Sequence, residues 1–172
     1  FRVGEKVKVL PSGFTSTIKS IISHTKELKE AYPPQSVIIS LEDDIDISRG
    51  DMIVKENNGP QIGQDIDIMM CWMSDTPMVL NDKPMINGGK YAIKHTTMDA
   101  RCMIKDVKYK VDVNTLDKIV DDKSIKLNEI ARVSLRTTKP IFYDSYRQNR
   151  KTGAIIIIDE ATNVTVGAGM IV

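Results

Sequence analysis

Cysteine, histidine and aromatic residues are scarce in this 172-residue sequence, which has two Cys, two His, one Trp and 5% aromatic residues. Cys71 and Cys102 have no metal-ligand residues at close spacing, which is typical of free, buried thiols in a reducing compartment. Long apolar runs are also missing. The longest aliphatic block, Ala154–Ile158, ends at Asp159 and is far shorter than the ~20 residues of a membrane-spanning helix. We therefore expect no membrane partner.

The sequence has almost no excess of charge, with 24 Lys and Arg against 23 Asp and Glu and a net charge of +1. A nucleic-acid-binding domain normally carries a clear basic excess, so we expect no nucleic-acid partner. The chain begins at Phe1, without an initiator Met, an export leader or a cleavage site. These features favour a cytoplasmic piece of a longer protein.

Motifs for phosphate, metal or nucleophilic chemistry are absent. No Gly-x-x-x-x-Gly-Lys-Ser/Thr occurs, and Asn81–Pro84 has the wrong order for a guanine-reading motif, so a surface turn is favoured there. Gly167–Gly169 is not followed by a helix, which favours close backbone approach in a strand over a dinucleotide site. His24 and His95 lack partners for a metal set. We expect no catalytic, cofactor-binding or metal site.

Short strands separated by turns dominate the first part of the chain. Lys6–Leu10, Thr15–Ser23 and Asp51–Val54 read as strands, and the apolar run Val37–Leu41 predicts a strand buried on both faces. The segment His24–Tyr32 is charged and predicts an exposed excursion. Together these elements indicate a partial β-barrel over residues 1–57.

A polar linker near residues 55–60 precedes a second predicted domain, residues 58–172. This domain has the pattern of a six-stranded β-barrel, so the fold class is all-β with two small barrels in tandem. Asn87–Gly89 and Thr162–Asn163 are predicted turns, and Asn114–Val120 is the one segment that looks briefly helical. The predicted strands are Asp65–Met73, Tyr91–Thr96, Ala100–Val113, Glu129–Thr138, Gly153–Ile158 and Val164–Val172.

Two apolar or mixed segments invite a functional interpretation. Trp72 lies in an apolar strand, where core packing is favoured over ligand stacking. The segment Arg136–Arg150 mixes four cations with three aromatics and is either a recognition surface or a strand connection whose aromatics pack inward. If it binds a protein or an anion, the candidate interface residues are Tyr143, Tyr146, Arg147 and Arg150.

Several motifs resemble those of translational GTPases such as elongation factor Tu. Val3–Val7 and Ile47–Asp51 resemble their second domain, and Val166–Ile171 resembles the end of their third domain. A narrower resemblance is to the large, GTP-binding subunit of bacterial sulfate adenylyltransferase. It rests on Leu10–Gly13, Asp46–Asp51, Leu135–Pro140, Tyr146–Gly153 and Asp159–Asn163.

That resemblance implies domains II and III of a subunit that supports synthesis of adenosine 5′-phosphosulfate from ATP and sulfate. In the family, GTP hydrolysis in a preceding GTPase domain drives adenylyl transfer by a small catalytic subunit. It implies these two partners, and GTP, ATP and Mg²⁺ in the full complex. The segment itself is expected to be an inactive scaffold that couples the two. Whether an adenylylsulfate kinase domain follows Val172 is left open.

The resemblance also implies that the first barrel lacks its initial strand or strands, which would leave an unpaired edge. Extending the chain upstream is then expected to raise its melting temperature. A competing hypothesis is an RNA- or protein-binding barrel pair of a translation factor. The near-neutral charge and the Tyr146–Gly153 segment favour the first reading.

Overall fold

The computed structural model describes residues 1–79 and 91–172, and the described residues form strands and turns without a helix. The predicted turns at Asn81–Pro84 and Asn87–Gly89 lie outside the described residues. The described residues divide into two compact units, Phe1–Pro60 and Gln61–Val172. No helix in them has the length and hydrophobicity to cross a membrane.

The first unit is a five-stranded antiparallel sheet in the order β3–β2–β1–β5, with β4 paired to β2. Val7 of β1 and Ile18 and Ile21 of β2 pack in a small core that also contains Ala31. An irregularity in β2 after Ile18 changes the alternation, so Ile18 and Ile21 face the same side. Among the described residues, β5 pairs only with β1. The strands are β1 Lys6–Leu10, β2 Thr15–Ser23, β3 Lys26–Leu28, β4 Ile38–Leu41 and β5 Met52–Lys55.

The strand predicted at Val37–Leu41 is confirmed, but the prediction that both of its faces are buried was wrong. The strand forms, but Ile38 is 64% exposed and the other residues of β4 are exposed or half-buried. Ile39 and Leu41 pack against the small core of this unit, whereas Ile38 and Ser40 lie on the opposite face of β4, which is exposed.

The second unit contains the closed six-stranded barrel. The ring runs β6–β12–β9–β8–β13–β14 and returns to β6, and all pairings are antiparallel. Short β10 pairs with β9, and β11 pairs with β7. The strands are β6 Gln61–Trp72, β7 Met78–Val79, β8 Tyr91–His95, β9 Met98–Val111, β10 Lys118–Ile119, β11 Ser124–Ile125, β12 Ile130–Tyr143, β13 Ala154–Asp159 and β14 Thr165–Ile171.

All six strands of the ring were predicted, although β6 begins at Gln61 rather than Asp65 and β12 ends at Tyr143 rather than Thr138. The all-β fold class is confirmed. Asn163 has φ of 58° in the predicted turn between β13 and β14. The helical expectation for Asn114–Val120 was wrong, because Leu116 has φ of 65° and the chain then pairs as β10. A left-handed residue interrupts a right-handed helix.

The barrel interior is filled by alternate residues of each strand. Trp72 is 2% exposed, donates from Nε1 to Thr76 O at 2.9 Å and meets the Tyr91 ring edge-on at a centroid distance of 5.8 Å. Gly167 and Gly169 lie opposite Trp72 and Met70. A Cβ on Gly169 would lie 2.7 Å from Ile68 Cδ1, so this glycine leaves room for a large interior side chain. A Cβ on Gly167 would lie 3.3 Å from Cys71 O, which is the predicted close backbone approach.

Candidate protein interface

The connection from β12 to β13, residues Asp144–Gly153, is here called the interface loop. Its two ends are tied to β14: Tyr146 N donates to Ile171 O at 2.9 Å, and Ile171 N donates to Gly153 O at 2.8 Å. Gly153 N also donates to Asn149 O at 2.8 Å. These backbone bonds give a connection without regular structure a defined path on the barrel.

Gly153 allows the two sides of the interface loop to touch. A Cβ at this position would lie 2.5 Å from Tyr146 N and 2.8 Å from Asn149 O. Both contacts are with backbone, which no side-chain rotation can relieve. Glycine is therefore needed here for close backbone approach.

Side-chain contacts support the same turn. Thr152 Oγ1 donates to Asp144 Oδ2 at 2.6 Å, and Thr152 O lies 2.7 Å from Nε2 of His95. His95 is 1% exposed, so its ring is a buried support of the interface loop. This contact gives the buried ring of His95 a hydrogen-bond partner.

The structure separates the four predicted interface residues. Tyr146 and Arg150 lie together, with Arg150 Cζ 6.0 Å from the centroid of the half-buried Tyr146 ring, and Arg147 is exposed beside them. Tyr143 instead ends β12, where it pairs with Gln61. A Cβ on Gly63 would lie 3.4 Å from the Tyr143 hydroxyl, so this side chain lies along β6.

The predicted loop therefore begins later than expected. β12 continues through residues 139–143, and its register with β6 shifts between Arg136 and Ile141. Ile141 and Phe142 are 0% and 2% exposed, so part of the segment packs inward, as the structural alternative held. The structural alternative is confirmed for Ile141 and Phe142, and the recognition surface stays a prediction for the residues that follow.

A charge network on the outside of β6, β9 and β12 was missed. Asp67 accepts hydrogen bonds from Lys108 at 2.7 Å, Arg132 at 3.0 Å and Ser134 at 2.6 Å. Partial burial acts to raise the pKa of Asp67, but these hydrogen bonds outweigh it and hold the pKa at about 2. Cross-strand pairing creates this cluster, and only the alternation of charged residues in β9 hinted at it.

A second ion cluster anchors the excursion between β9 and β12. The Lys110 side chain is 7% exposed, and its Nζ lies 2.6 Å from Asp122 and 3.0 Å from Glu129. Burial acts to lower the pKa of Lys110, yet the hydrogen bonds to the two carboxylates raise it overall. The cluster holds a long connection against the barrel.

The described residues provide only a weak candidate for a small-ligand site. A cleft of about 830 Å³ at one end of the barrel is lined in part by Trp72, Tyr91, Arg101, Asp159 and Glu160. Arg101 Nε lies 2.6 Å from Glu160 Oε1, so the charge of this arginine is already paired within the cleft. Within residues 1–79 and 91–172, no group of three or more His, Cys, Asp or Glu is arranged to hold a metal ion.

Both cysteines are free, but only one is deeply buried. Cys102 is 5% exposed inside the barrel, and burial, with a contribution from Glu160, raises the pKa of its thiol to about 12. Cys71 is half-buried, because alternation in β6 turns it toward the outside of the barrel. The expectation that both would be buried was therefore wrong for Cys71.

Comparisons with known proteins agree with the fold. The family described as GTP-eEF1A C-terminal domain-like matches residues 65–172. Sulfate adenylyltransferase subunit 1 of Bacteroides thetaiotaomicron is 43% identical across 99% of this chain and 36% of its own length. Bifunctional enzyme CysN/CysC of Mycobacterium tuberculosis is 45% identical across 99% of this chain and 27% of its own length. The resemblance to the sulfate adenylyltransferase large subunit is confirmed.

The chain spans about a third or less of the length of these curated relatives. Among solved structures, sup35 complexed with GDP has a TM-score of 0.85 at 15% identity, covering 100% of this chain and 41% of that one. Elongation factor SelB of Methanococcus maripaludis has a TM-score of 0.69 at 17% identity, covering 99% of this chain and 36% of that one. At such identities the likeness establishes the fold alone.

Proposed function

This chain belongs to the GTP-eEF1A C-terminal domain-like family, and we propose that it is the C-terminal barrel region of the GTP-binding subunit of a sulfate adenylyltransferase. In this role it holds the GTPase domain of the same chain and the small catalytic subunit, and couples GTP hydrolysis to synthesis of adenosine 5′-phosphosulfate. GTP, ATP and Mg²⁺ act in those other parts of the complex. The observation that carries the proposal is the identity to sulfate adenylyltransferase subunit 1 along both units.

The interface loop is the proposed contact with the rest of the complex. The interface loop is ordered before any partner binds, because it makes backbone hydrogen bonds to β14 and contacts the buried His95 ring. Such preorganisation lowers the entropy lost on association. It presents an arginine stacked on a tyrosine, and both residue types are enriched among the residues that dominate binding energy. Arg147 adds an exposed cation beside them.

The test uses the full-length subunit titrated with the small subunit, with GTP present and absent. Replacing Arg147 or Tyr146 by Ala is expected to weaken assembly by about 2 kcal/mol or more, the usual cost of losing a binding hot spot. Arg49→Ala removes an exposed arginine from the first unit and serves as the matched control. Wild-type affinity for both loop variants in both nucleotide states would refute the role of the interface loop.

A further inference from the structure

The outside of the barrel is apolar along three adjacent strands. Side chains alternate along β6, β14 and β13, so the residues between the interior ones point outward. Register aligns them in two cross-strand rows. We call these six residues the outer patch: Cys71, Ala168 and Ile156 in one row, and Met69, Met170 and Ala154 in the other.

The outer patch is accessible. Met170 is 45% exposed and Ile156 is 41% exposed, while the other four members are half-buried. An outward sheet face normally carries polar side chains, as β9 does with Asp99, Arg101 and Lys105. A contiguous apolar face on one side of a barrel is typical of a protein interface, and flexible methionines adapt to a partner surface.

Cations border the outer patch. Lys94 is the β8 partner of Ile156, and the interface loop, with Arg147, Arg150 and Lys151, joins the patch at Ala154. None of these four cations has a carboxylate within ion-pair distance among the described residues. The nearby carboxylate of Asp144 accepts from Thr152. The rim therefore favours a partner that presents carboxylates.

We propose that the outer patch is the apolar centre of the interface whose cationic edge is the interface loop, and that the small catalytic subunit occupies it with an apolar surface bordered by carboxylates. This inference rests on the proposed function. Its main support is continuity: Ala154 follows Gly153 directly, and Ile171, next to Met170, bonds both ends of the loop. An apolar centre with a charged rim is the usual anatomy of a stable interface.

Cys71 reports occupancy of the outer patch without any substitution. Cys102 is buried with a raised thiol pKa, so a maleimide should modify Cys71 first in the native protein. Modification is followed by peptide mass spectrometry on the full-length subunit. We expect the small subunit to slow modification of Cys71 at least tenfold. Equal rates with and without it, under conditions where the subunits are assembled, overturn the proposal.

The same measurement identifies other occupants. If Cys71 is already protected in the full-length subunit alone at every concentration, the GTPase domain covers the patch. If protection grows with the concentration of that subunit alone, a second copy covers it. Either result overturns the assignment to the small subunit.

A matched pair of substitutions tests the energetics. Met170→Lys places a charge at the centre of the patch, whereas Met103→Lys changes a methionine of 47% exposure on β9, outside the patch. We expect Met170→Lys to weaken assembly at least tenfold and Met103→Lys less than twofold. Equal effects of the two variants, with the urea-unfolding midpoint of each full-length variant unchanged, overturn the proposal.

Failure of this inference can be told apart from failure of the proposed function. If Arg147→Ala weakens assembly while Met170→Lys does not, the loop contact stands and the patch assignment falls. If the wild-type subunits do not associate at all, the proposed function itself falls, and this inference with it.

Discussion

Replacing Gly153 with Ala tests whether close backbone approach orders the interface loop. The added Cβ would lie 2.5 Å from Tyr146 N and 2.8 Å from Asn149 O, whereas non-bonded heavy atoms prefer separations of roughly 3.5–4.0 Å. Because both atoms belong to the backbone, the loop must move as a unit. That movement strains the bonds that Gly153 makes with Asn149 and Ile171.

The expected cost follows from these contacts. Overpacking a well-filled site costs about 1–3 kcal/mol, and each weakened backbone hydrogen bond adds about 0.5–1.5 kcal/mol. Since the loop relaxes in part, we expect a loss of about 2–4 kcal/mol in the free energy of unfolding. A loss of this size is confined to the second unit, because Gly153 and all its contacts belong to it.

Urea unfolding followed by tryptophan fluorescence isolates this effect, because the single tryptophan, Trp72, is buried in the second unit. Gly63→Ala is the matched control in the same unit, since its Cβ would meet the Tyr143 side chain, with the nearest atom, the hydroxyl oxygen, at 3.4 Å. A loss below about 0.5 kcal/mol for Gly153→Ala, the range typical of neutral surface changes, would refute the reasoning.

Two further predictions concern electrostatics and chemistry. Asp67→Asn should cost about 2 kcal/mol of stability at pH 7, because the folded pKa of about 2 lies below the ordinary value of 3.8. This contribution is complete above the unfolded pKa and is lost as pH falls through the folded one, so wild type and variant should converge in urea titrations between pH 4 and pH 2. Asp65→Asn, at a carboxylate 57% exposed, should cost less than ~1 kcal/mol and serves as control; equal losses for both variants would contradict the cluster's role. The isolated chain should neither hydrolyse GTP nor form adenosine 5′-phosphosulfate, because its sequence has no phosphate-binding loop; turnover that co-purifies with the chain through successive columns would contradict this.

Local patterns were sufficient for most of the barrel. The alternation in Ala100–Val113 and the β-branched run in Gly153–Ile158 each predict a strand, because the period of two is visible without knowing any neighbour. Neighbour relations were not visible. The exposure of Ile38 depends on which face of β4 packs against the core, and the position of Cys71 depends on which face of β6 turns outward.

The interface loop shows the same limit. Its residue types suggested a recognition surface, and the structure keeps Tyr146 and Arg150 together while leaving Tyr143 in β12. The register shift in β12 spans Pro140, a residue that strands accept at bulges, but the sequence alone does not show that the strand resumes beyond it. The Asp67 cluster and the outer patch were also invisible, since each is assembled from strands distant in sequence whose register is set by the closed barrel.

The pairing of the barrel's first strand has a consequence for its synthesis. β6 is the first strand of the second unit to leave the ribosome, yet its two neighbours are β12 and β14, the last of which ends at Ile171. Both edges of β6 therefore remain unpaired while most of the unit is translated. This strand carries Met70 and Trp72, which are buried in the folded barrel. Contacts so distant in sequence form slowly, because loop-closure entropy is lost before the pairing is gained. The barrel can therefore close only after its final strand has been translated, and until then β6 exposes an unpaired strand edge of the kind that makes folding intermediates prone to aggregate.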